Sequence, residues 1–169
     1  MRKSLICAII FLFFAPISNG TVQIKEEIVI GENVLKFNSY PLQQLISTFE
    51  FRKKFNISSV CSAASRGYKG YWSISEDTLY LEKILKNPCS FDGKKELFNL
   101  DMLFPEHKGE YSRYKADWFS GEIVIPIGSN EWIEDQKNSK GYQLIIQKVI
   151  AYTIENGKVI DRVIEKRER

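Results

Sequence analysis

The best-formed hydrophobic and polar pattern runs from Ser65 to Ile84, where two apolar-aromatic runs flank the polar corner Ser75-Glu76-Asp77-Thr78. That is the pattern of an antiparallel hairpin. With the turn centred on Glu76 and Asp77, Ile74 faces Leu79 and Trp72 faces Leu81 on an apolar side. Tyr71 opposite Glu82, and Ser73 opposite Tyr80, fall on the other side, and a slip of one residue would exchange the two faces. Upstream, Val22, Ile24, Ile28 and Ile30 share one parity while Gln23, Lys25 and Glu27 occupy the other, which predicts a strand with one wet face. Gly31-Glu32-Asn33 turns it, and residues 34–37 return as a second strand.

Leu42, Leu45, Ile46 and Phe49 recur at helical spacing behind Pro41, a residue suited to a first helical turn. One helix is predicted to about Lys54, with Gln43, Gln44, Glu50 and Arg52 toward water. Residues 97–104 fit either a short strand or a helical turn, and 105–115 read as a surface loop. Residues 118–127 form a strand that ends at Pro126 or runs along an edge. Residues 143–154 and 159–165 flank Asn156-Gly157, a strong hairpin signal, and the last four residues are expected to fray. Seven or so strands and one helix give an α+β, strand-rich class: a curled antiparallel sheet or partly open barrel with one helix packed on it.

The amino terminus changes where this fold is expected to work. Arg2 and Lys3 precede an apolar run over residues 5–15, then Pro16-Ile17-Ser18-Asn19-Gly20. This predicts a signal peptide over residues 1–20, cleaved after Gly20, and an exported single domain over 21–169, periplasmic or secreted. The apolar run is shorter than the roughly 20 residues needed to cross a bilayer, so no membrane span is expected in the mature chain. Without Arg2 and Lys3 the 24 basic residues become 22 against 21 acidic ones, which argues against a nucleic-acid partner. Cys7 leaves with the leader. Cys61 and Cys89 are expected to form a disulfide around the central hairpin, closing a loop of about 28 residues and contributing on the order of 3 to 4 kcal/mol.

Candidate chemistry is sparse. His107 is the only histidine and sits in the predicted loop, and no glycine-rich phosphate loop, zinc-protease or calcium-loop motif occurs, so no cofactor and no metal is expected. Glu76, Asp77, Asp101, Asp117 and Glu122 are the carboxylates available for acid-base work. Glu76 and Asp77 already suit a hairpin corner. Asp117, Trp118, Ser120 and Glu122 form a cluster that is functional or structural, with Asp117 expected to cap backbone donors. Arg66, Lys69, Tyr71 and Tyr80 form the candidate binding surface on the outward side of the hairpin. Trp72 and Trp118 are expected in the core.

Two segments carry a family likeness. Arg66-Gly67-Tyr68-Lys69-Gly70-Tyr71-Trp72-Ser73-Ile74 with Leu79-Tyr80-Leu81, and Ala116-Asp117-Trp118-Phe119-Ser120-Gly121 continuing to Gly128, resemble a family of small uncharacterised bacterial proteins. Pro41-Leu42 also looks like that family's pattern. The resemblance spans residues 33–128 and implies no activity. Some of its members look cytoplasmic, so the leader and cysteine pair are a departure.

The residues thus predict an exported, non-enzymatic protein-binding domain, of inhibitor or immunity type, meeting a protein or glycan of the cell envelope. A second reading is a metal-independent hydrolase acting on a glycan or cell-wall substrate, with Asp117 or Glu122 working beside Arg66. A third is a structural envelope component. A deep cleft where Asp117 meets a second carboxylate would favour the enzyme, and an open patch holding Tyr71 and Tyr80 the binder.

Overall fold

A computed structural model describes residues 21–58, 60–89, 96–107, 109, 112–128, 131–134 and 143–168, with the backbone alone for 131–134 and 143–146. The predicted leader, Tyr111 and the turn residues 90–93 lie outside the described residues.

The chain runs β1 (Glu26–Ile30), β2 (Asn33–Phe37), α1 (Leu42–Leu45), α2 (Thr48–Lys54), β3 (Tyr68–Ser75), β4 (Thr78–Lys86), β5 (Tyr114–Lys115), β6 (Gly121–Pro126), β7 (Glu131–Glu134), β8 (Gln143–Glu155) and β9 (Lys158–Glu168). The strands build one nine-stranded sheet in the order β2-β1-β3-β4-β9-β8-β6, with β5 added to β4 and β7 to β8. The sheet is open and not closed into a barrel, although it curls enough to bring β2 near β6. It is mixed rather than wholly antiparallel, because β1 lies parallel to β3. β9 continues paired through Glu168 opposite Ile146, so the expected fraying is absent up to that residue.

The central hairpin has the predicted register at its tip, with Ile74 opposite Leu79, Trp72 opposite Leu81 and Ser73 opposite Tyr80. Glu76 and Asp77 take φ near +50°, as a tight two-residue turn requires. A bulge between Tyr71 and Trp72 then leaves Glu82 as the extra residue, so Tyr71 faces Lys83 instead. Trp72, Leu79, Leu81 and Ile84 are buried with Ile28, Phe37, Phe51, Ile123 and Ile154 in one core. Trp118 is half-buried at the core's margin, stacked on Phe104.

The predicted single helix is two. Ser47 Oγ accepts from the Glu50 backbone N–H at 3.2 Å, and the Glu50 carboxylate takes the Ser47 N–H at 3.1 Å. This reciprocal cap restarts the helix and rotates the apolar face. Phe49 is consequently 75% exposed, while Phe51 is fully buried against Phe55, Tyr68 and Phe98. Leu97 bridges to Leu85 and is followed by a 3-10 turn at Leu100–Met102, so the ambiguous stretch contains both kinds of structure. A second 3-10 turn, Pro105–His107, replaces part of the predicted loop.

Among the described residues, the ladder between β4 and β9 that joins the two halves of the sheet consists of Thr78 opposite Lys158. Backbone bonds from Leu79 N–H to Gly157 O and from Val159 N–H to Asp77 O, each 2.9 Å, lock the two hairpin turns together. The segment after β5 completes the joint, since Ala116 N–H reaches Leu79 O and Gly157 N–H reaches Phe119 O. Gly157 adopts φ +73°, and a Cβ there would lie 2.7 Å from the Ala116 backbone. Only glycine satisfies both conditions.

Candidate functional site

The outer side of β1, β3 and β4 presents Glu27, Val29, Tyr71, Ser73, Tyr80 and Glu82, joined from the segment before β5 by Arg113. The pleat puts these residues on one face by parity, and the bulge at Glu82 brings Lys83 alongside Tyr71. The half-buried Tyr71 ring lies between two ammonium groups, with Lys69 Nζ 4.9 Å and Lys83 Nζ 4.8 Å from its centroid. Lys69 is also paired with Glu27 at 2.6 Å, whereas Lys83 has no carboxylate partner among the described residues. Each ammonium-ring contact at such a site is worth about 0.5 to 1 kcal/mol.

On the β4 side, the Arg113 guanidinium lies 4.0 Å from the Tyr80 centroid and 3.7 Å from a Glu82 oxygen. The same Glu82 oxygen accepts from Ser73 Oγ at 2.5 Å. Val29 and Val34 add exposed apolar surface, Val34 at 64%. Of these groups Glu27, Val29, Val34, Tyr71, Lys83 and Arg113 line an open groove of about 830 Å³, which Tyr80 does not line.

Arg66 does not belong to this face. It is 3% exposed and points beneath the sheet, where Nη2 donates to Ile24 O at 2.6 Å and the guanidinium stacks 4.2 Å from the Tyr40 centroid. Its Nε lies 3.4 Å from Glu26 Oε1 without the alignment of a hydrogen bond, so the attraction is mainly coulombic. Glu26 is fully buried. Its carboxylate accepts from Trp72 Nε1 at 2.5 Å and from Gly70 N–H at 3.2 Å. Burial pushes the Glu26 carboxyl above the usual carboxylate range, opposed by Arg66 and by the Trp72 and Gly70 donors. The neighbouring Tyr68 phenol is pushed up by burial as well.

Gly70 makes room for this network, since a Cβ there would sit 2.5 Å from Glu26 Oε2 and 2.6 Å from Trp72 Nε1. Arg66 and Glu26 thereby clamp β1 to β3. Sequence reasoning passed over Glu26, although a visible signal existed: it interrupts the apolar parity between Ile24 and Ile28.

The cluster at 117–122 is dispersed. Trp118 Nε1 donates to Pro41 O at 3.3 Å, and the Gln44 side-chain amide brackets Ser120, donating to its carbonyl at 2.9 Å and accepting its N–H at 3.1 Å. Ser120 Oγ accepts the Asn156 N–H. Glu122 forms a two-pronged pair with Arg167 at 2.6 and 2.7 Å, which holds its carboxyl below the usual range. Asp117 is exposed and caps no backbone donor among the described residues, contrary to expectation. It lines a trough with Glu106 and Tyr80, whereas Glu122 lines a separate cavity with Lys25 and Val124. The expected partnership of Asp117 or Glu122 with Arg66 is therefore not formed.

Cys61 and Cys89 lie at disulfide distance, with Cα atoms 6.2 Å apart, at the two ends of the central hairpin. Comparison with protein-family models, curated proteins and solved structures finds no match.

Proposed function

We propose that the chain is an exported protein-binding domain, of inhibitor or immunity type, whose contact surface is the outer face of β1, β3 and β4. The observation that carries this reading is Tyr71, held between Lys69 and Lys83 beside exposed Val29 and Val34. An aromatic ring fixed in place by its neighbours, with apolar area next to it and charges around the rim, has the composition of an interface hot spot. Ordering costs on binding are small because the ring is already held. The leader pattern and the cysteine pair at disulfide distance support export. The hydrolase reading lacks comparable support, since its two carboxylates line different cavities and its arginine is buried.

The test is capture of partners from the envelope of the native host by wild type, Tyr71→Ala and Tyr80→Ala. Truncating a central interface tyrosine costs about 2 kcal/mol, roughly 30-fold in affinity, so Tyr71→Ala should lose the partner through washing. Retention of every partner by both variants refutes the proposal.

A further inference from the structure

In segment 116–120 nearly every group is committed to the fold. Ala116 packs against Gly157, the Trp118 indole is tied to Pro41, Phe119 is buried, and Ser120 is bonded to Gln44 and Asn156. The exception is the Asp117 carboxylate, which has no hydrogen bond or ion pair among the described residues. It stands on the wall of a trough of about 530 Å³, within the range of about 300 to 1,000 Å³ typical of small-ligand sites. Glu106, also without a hydrogen bond or ion pair among the described residues, lines the same trough, and Leu45, Tyr80 and the half-exposed Trp118 supply apolar surface.

We propose that this trough binds a neutral pyranose unit of a glycan, with Trp118 as the platform for the sugar's C–H face and Asp117 as acceptor for its hydroxyls. The platform is rigid: Phe104 stacks on Trp118 at 5.2 Å and on Tyr114 at 4.3 Å, and the indole is anchored through its N–H. An indole so fixed loses little freedom when a ring settles on it. Charge decides the ligand class. Asp117 and Glu106 share the trough with Lys115 and with Arg113, whose guanidinium also faces Glu82, so charges of both signs line it. Separated acceptors and donors over an aromatic surface match a polyhydroxylated ring, whose adjacent hydroxyls present both functions. Arg113 borders both this trough and the Tyr71 groove, and Tyr80 of the proposed contact face lines the trough, but Asp117 and Trp118, which carry the inference, do not line that groove, and Tyr71 does not line the trough.

The test follows the Trp118 indole N–H resonance of isotopically labelled protein while cellotetraose, chitotetraose and maltotetraose are added in turn. A saturable shift with at least one of them is expected, with the buried Trp72 indole unmoved. Asp117→Ala, which removes an exposed and unpartnered group and so leaves folding intact, should weaken binding by about tenfold. Glu122→Gln and Tyr71→Ala should bind as wild type. The absence of a saturable shift with all three sugars overturns the proposal, as does Asp117→Ala binding with wild-type affinity.

Discussion

Replacing Arg66 by alanine should cost more than any surface substitution, and the cost should grow with pH. In the folded protein Arg66 is the nearest cation to fully buried Glu26, whose remaining stabilisation comes from the Trp72 indole, the Gly70 N–H and, more weakly, the charge of Lys69. Removing one partner of a buried pair costs about 3 to 5 kcal/mol, because the other charge is left desolvated. For a domain of this size that corresponds to a melting temperature lower by roughly 6 to 20 °C. The sign with pH follows from Glu26. Its carboxyl is already raised in the folded state and is raised further without Arg66, so the folded protein holds a proton that the unfolded chain releases. The penalty is small below the wild-type folded pKa, grows between that value and the higher one in the variant, and is constant above the latter. Urea denaturation of wild type and Arg66→Ala across the acid-to-neutral range measures this directly. A deficit below about 1 kcal/mol at neutral pH, or one that does not shrink in acid, would show that the pair does not carry the β1–β3 junction.

Gly157→Ala should destabilise by about 3 kcal/mol or more, because positive φ and the Ala116 backbone both oppose a Cβ; a denaturation midpoint near wild type would contradict the proposed joint between the sheet halves. Protein exported by its host should show no alkylatable thiols by intact mass until reductant is added, and Cys61→Ser with Cys89→Ser should cost on the order of 3 to 4 kcal/mol. Two thiols that alkylate without reductant would refute the bond.

The parts of the fold that the sequence determined by itself are those whose contacts are close along the chain. The pattern from Ser65 to Ile84 contains the tip register of the central hairpin, and Asn156-Gly157 marks the carboxy-terminal one, because a tight turn forces neighbouring residues to pair. Even the helix break was present locally, in Ser47 and Glu50 three residues apart, but the apolar spacing across it pointed the other way.

Tertiary structure alone decided the rest. Parallel pairing of β1 with β3 joins segments some 40 residues apart, and nothing local in either strand encodes that neighbour. The same docking turns Glu26 and Arg66 into a buried pair and takes Arg66 off the face where Tyr71 remains. Asp117 and Glu122 line different cavities, since the chain turns from the joint between the hairpins into β6 between them. Periodicity reports which side of a strand is wet only after the neighbours on both sides are known, and for an acid or an arginine amid apolar residues those neighbours decide whether it meets water or a partner.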